Sequence, residues 1–65
     1  MSYYIEYFEG NVLKSDPNTY YEIHRAQQRA CELLVEGKSQ VDIIRSDGKT
    51  MDVFYNNTEE ENKAR

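Results

Sequence analysis

Only a handful of side chains in this sequence could carry chemistry. The chain has one histidine, His24, and one cysteine, Cys31. On a helix their spacing sets them two turns apart on one flank, about 10 Å, beyond the hydrogen-bond reach of a thiol activated by an imidazole. Two such residues are also too few for a zinc site, which typically takes about four ligands. Cys31 is therefore expected to be buried and inert, and His24 to be a half-exposed helix residue.

The carboxylates are the other candidates. Asp42 and Asp52, joined by Glu6, form one cluster if their strands pair. On an open sheet face they would bind a metal or exchange protons only if something else enclosed them, so a small metal-dependent enzyme using Asp42 and Asp52 is the most distant reading. The three glycines, Gly10, Gly37 and Gly48, each fall at a turn or a helix end, which leaves none for a phosphate-binding loop. No catalytic residue, metal ligand or cofactor is expected.

The elements that must position these residues follow from period and punctuation. Tyr3 to Phe8 is aromatic-rich and alternating, with Tyr3, Ile5 and Tyr7 on one side and Tyr4, Glu6 and Phe8 on the other, which predicts a strand. Gly10-Asn11 suits a two-residue hairpin turn, and Val12-Leu13-Lys14 reads as a short returning strand or an extended loop. Thr19-x-x-Glu22 matches a capping box, with Asp16 before Pro17 as the competing helix start. Tyr20, Ile23, Ala26, Ala30, Leu33 and Leu34 then recur at helical spacing, and Gly37 stands where a left-handed cap would end the helix. Tyr20 and Tyr21 are expected to pack against the end of the sheet.

Gln40 to Arg45 and Thr50 to Tyr55 read as a second hairpin. A two-residue turn at Asp47-Gly48 would mix charged and apolar residues on both faces. A three-residue loop, Ser46-Asp47-Gly48 with Gly48 left-handed, shifts the register by one and pairs Arg45 with Lys49. Val41, Ile43, Met51, Val53 and Tyr55 then share the core face, while Asp42, Ile44, Thr50, Asp52 and Phe54 share the other. The cost is Asp42 opposite Asp52, a mildly destabilising like-charge pair.

The fold class this predicts is α+β. It is a single small two-layer domain over residues 1–56, ββαββ (or βαββ without the second strand), with one helix on an antiparallel sheet. Residues 57–65 read as a flexible acidic tail, with Thr58 and Glu61 placed to cap a short helix.

Size and charge narrow the function. A domain of 65 residues typically buries only about 60% of its unfolded surface and has little room for a deep cavity. With eight basic residues against twelve acidic ones and a net charge of −4, direct nucleic-acid binding is not expected. No apolar run approaches the roughly 20 residues that span a bilayer, and Met1 to Glu6 lacks the pattern of a signal peptide. A single cysteine forms no internal disulfide, so a cytoplasmic location is expected and the sequon at Asn56-Asn57-Thr58 has no route to use.

One helix covers one sheet face. The other is expected to present Tyr4, Phe8, Ile44 and Phe54, with Glu6, Asp42 and Asp52 among them, as a patch for a protein partner or for a second copy of the chain. In size, acidity and single-cysteine composition the chain resembles the accessory proteins with which bacteriophages and mobile elements block host factors, including inhibitors of restriction, toxin and CRISPR systems. That resemblance implies a non-enzymatic binding module in the cytoplasm of a bacterial or virus-infected host cell. The alternative is a structural homodimer closed through the same face.

Overall fold

A computed structural model describes residues 1–56 of the chain; the expected tail and the helix capped by Thr58 lie outside the described residues. Strands β1 (Tyr3–Glu9) and β2 (Val12–Ser15) precede helix α1 (Ile23–Val35), and β3 (Gln40–Arg45) and β4 (Thr50–Tyr55) follow it. The strands form one antiparallel sheet in the order β2-β1-β3-β4. This is the expected ββαββ arrangement, with the second strand present. The helix lies on one face of the sheet, and Ile5, Ala26, Ala30, Leu33, Val41 and Ile43 make the buried core between them. Ala26 and Ala30 let the helix approach closely, and the larger Tyr7, Ile23, Leu34 and Phe54 close the margins.

The turns behave as their residues predict. Gly10 alone takes the positive φ, 64°, in the two-residue β1–β2 hairpin loop, as the first position of a type II′ turn requires. After Val35 the amide of Gly37 donates to the Leu34 carbonyl at 3.0 Å and that of Lys38 to Leu33 at 3.1 Å, with Gly37 at φ 103°. These two bonds are a Schellman cap, which satisfies carbonyls the last turn would otherwise leave free.

The start of the helix differs from expectation. Tyr20 pairs with Tyr3 through two backbone bonds, Tyr3 N to Tyr20 O at 2.6 Å and Tyr20 N to Tyr3 O at 2.8 Å. An extended Tyr20 cannot also be helical, so the Thr19–Glu22 capping box does not form. The helix begins at Ile23 behind an extended Glu22 that makes no side-chain cap. Asp16 does not cap it either: it is buried, and its carboxylate accepts the Tyr20 hydroxyl and lies 3.8 Å from Arg29 Nε. Tyr20 therefore packs on the core as expected, whereas Tyr21 stands exposed in solvent.

The second hairpin takes the expected three-residue loop and then reverses its effect. Arg45 N bonds Lys49 O at 2.8 Å, and Gly48, at φ 93°, donates to Arg45 O at 2.8 Å. Beyond the Ile44–Thr50 pair the ladder is broken by a bulge, because Met51 is an extra residue and Ile43 pairs with Asp52. From there Asp42 opposes Val53, Val41 opposes Phe54 and Gln40 opposes Tyr55. The one-residue shift introduced at the loop is undone at Met51.

Candidate functional site: the open face of the sheet

Pairing and alternation assign every strand residue to a side. Tyr3, Ile5 and Tyr7 of β1 share the helix side with Val41 and Ile43 of β3, and Asp52 and Phe54 of β4 are paired to that side. The opposite face carries Tyr4, Glu6 and Phe8 from β1, Leu13 and Ser15 from β2, Gln40, Asp42 and Ile44 from β3, and Thr50, Val53 and Tyr55 from β4. No described element covers it.

Of the residues expected to form a binding surface, Tyr4, Phe8, Ile44, Glu6 and Asp42 do come together on this face. Phe54 and Asp52 do not. Phe54 packs against the core cluster under the helix, and the Asp52 carboxylate accepts a hydrogen bond from Gln27 Nε2 of the helix at 3.3 Å. The bulge at Met51 is the cause. It places a phenylalanine rather than a valine opposite Val41, burying more apolar area, and it separates Asp52 from Asp42, removing the like-charge opposition of the simple register.

Leu13, Val53 and Tyr55 stand on the face in addition. They are 52%, 39% and 59% exposed, with Tyr4 at 37%, while Ile44 at 8% sits between its register neighbours Tyr4 and Thr50. A signal for this exchange was present in the sequence: Asp42 directly opposite Asp52 is a pairing that a bulge relieves.

The charge on this face is of one sign. Glu6 and Asp42 are direct partners across β1 and β3. Gln40 Nε2 donates to Asp42 at 2.9 Å, and neither carboxylate is ion-paired with any described residue. None of the strand residues on the face is lysine or arginine. Like charges directly opposite each other in a sheet typically cost some tenths of a kcal/mol. Three basic residues are engaged at the margins of the sheet: Lys14 and Lys38 flank Glu9 at 3.2 and 2.7 Å, and Arg45 grips Asp47 at 2.7 Å. The Lys38 and Lys14 ammonium groups hold the Glu9 carboxyl below its usual range, and the Arg45 guanidinium with the Lys49 amide brings Asp47 down to about 2.

Chemistry elsewhere is sparse. Cys31 is exposed on the outer side of the helix, not buried as its apolar character suggested, because Ala30 and Leu33 occupy the inward positions on either side of it. His24 is also exposed and lies 3.3 Å from the Glu22 carboxylate. Among the described residues no group of three or more His, Cys, Asp or Glu side chains could hold a metal ion. An open groove of about 560 Å³ beside the helix start is lined by Tyr20, Tyr21, Arg25 and Arg29 among others, but Arg29 is already shared between Asp16, Glu32 and Glu36. No helix among the described residues is long and apolar enough to cross a membrane.

Compared with known proteins, the chain matches no protein-family model, and no match was found among the curated proteins or the solved structures.

Proposed function

We propose that this chain is a non-enzymatic protein-binding module whose open sheet face covers a surface of a different protein. The observation that carries this reading is the face itself: Tyr4, Leu13, Val53 and Tyr55 stand exposed, with the half-buried Phe8 and the buried Ile44 between them, on one side of a four-stranded sheet whose only described helix covers the other. Tyr4, Leu13, Val53 and Tyr55, half of the large apolar side chains exposed among the described residues, share this one face; apolar residues that share a face mark interaction surfaces, and tyrosine supplies broad amphipathic contact at low entropic cost. An open sheet face acts by occupancy, which suits a protein that blocks a host factor, as the accessory proteins of phages and mobile elements do.

The test is site-specific photocrosslinking in the native cell extract. A photoreactive residue at Val53 or Tyr55 should capture a defined partner that the same probe at Gln28, on the outer helix surface, does not. Val53→Asp should abolish the capture while leaving the circular dichroism spectrum intact. Equal capture from Gln28 would move the binding surface to the helix.

A further inference from the structure

Resting on that reading of the open face, we propose that its partner is basic: a segment that places a lysine or arginine between Glu6 and Asp42 while its apolar side chains cover Tyr4, Ile44, Phe8 and Leu13. Glu6 and Asp42 oppose each other at the middle of β1 and β3, with Tyr4 paired to Ile44 on one side and Phe8 paired to Gln40 and Leu13 on the other. Two carboxylates without a counter-ion among the described residues thus sit inside the apolar patch rather than at its rim. Any partner that covers the patch must dehydrate both, and a buried carboxylate without a cation is strongly unfavourable, the single bond from Gln40 to Asp42 leaving Glu6 unserved. A cationic side chain reaching the pair converts that penalty into charge-assisted hydrogen bonds.

The same geometry disfavours a second copy as the occupant. Packing two such faces together would gather two Glu6 and two Asp42 carboxylates in one apolar seam, and the strand positions of the face offer no lysine or arginine to neutralise them. Like-charge juxtaposition of this kind suppresses wrong partners as effectively as contacts select right ones.

The experiment is a titration of the isotope-labelled full chain, followed by amide NMR, with three synthetic peptides of alternating Leu-Lys, Leu-Ser and Leu-Glu. The Leu-Lys peptide is expected to perturb β1, β2 and β3 and to bind at least tenfold more tightly than the other two. Its affinity should fall about tenfold in the double variant Glu6→Gln with Asp42→Asn. It should change less than about threefold in Glu32→Gln with Glu36→Gln, which alters net charge equally but on the helix.

Two outcomes overturn the inference. Leu-Ser binding to the open face as tightly as Leu-Lys, or Leu-Lys responding equally to both double variants, would leave the face as a docking surface without charge selection. Leu-Lys perturbing only helix residues would remove the open face from the account altogether.

Discussion

Phe54 lies directly opposite Val41, on the helix side of the sheet, although the loop of the same hairpin sets a register that would put Val53 there. The extra residue Met51 makes the difference. One bulge decides which aromatic ring belongs to the core and which β4 residues, Val53 and Tyr55, are left exposed on the open face.

That assignment predicts opposite outcomes at adjacent positions. Phe54→Ala should destabilise the domain by about 2–3 kcal/mol, somewhat below the usual range for a fully buried phenylalanine because this one is only partly buried. Val53→Ala, on the exposed face, should stay within about 0.5 kcal/mol. Urea denaturation of the two variants beside the wild type checks both, and equal losses would refute the bulged register.

Asp16 is buried and its carboxylate accepts the Tyr20 hydroxyl. Tyr20→Phe should cost about 1–3 kcal/mol, the penalty for depriving a buried acceptor of its donor. Burial first, and the bond to Asp16 second, raise the Tyr20 pKa above its ordinary value near 10. A pKa raised on folding gives stability that is complete below the unfolded value and lost as the pH climbs through the folded one. Wild-type stability should therefore sag in strong alkali more than that of Tyr20→Phe, measured by denaturation across the alkaline range.

Asp47 shows the reverse sign. Its pKa is lowered from 3.8 to about 2, chiefly by the Arg45 guanidinium. A carboxyl lowered on folding stabilises the native state above its unfolded value and loses that contribution as the pH falls toward the folded one. Asp47→Asn should flatten the decline of stability between about pH 4 and pH 2, and a wild-type-like acid slope in the variant would contradict the pairing.

Cys31 should react with a thiol reagent in the native protein as readily as a cysteine in a short peptide, without denaturant. Reaction that waits for unfolding would place the thiol inside, contrary to its exposed position on the helix.

Most of the architecture was legible in the sequence, for local reasons. The helical stripe through Ala26, Ala30 and Leu33, the left-handed Gly37 cap and the Gly10 and Gly48 turns each depend on residues close in the chain. What escaped was set by pairings distant in sequence. The Tyr3–Tyr20 bridge overrode a good capping box, and the bulge at Met51 moved Phe54 and Asp52 to the helix side. The open face survived in outline, through Tyr4, Glu6, Phe8, Asp42 and Ile44, because β1 and β3 pair without irregularity. Its β4 contribution was displaced by one residue.

The central claim is that this face is kept for a different protein. The measurement that tests it most directly is molar mass by light scattering over a wide concentration series, for the wild type and for Val53→Asp. The account predicts the 7.7 kDa monomer at every concentration for both. A wild-type dimer that Val53→Asp returns to a folded monomer would show the face consumed by self-association and would contradict it.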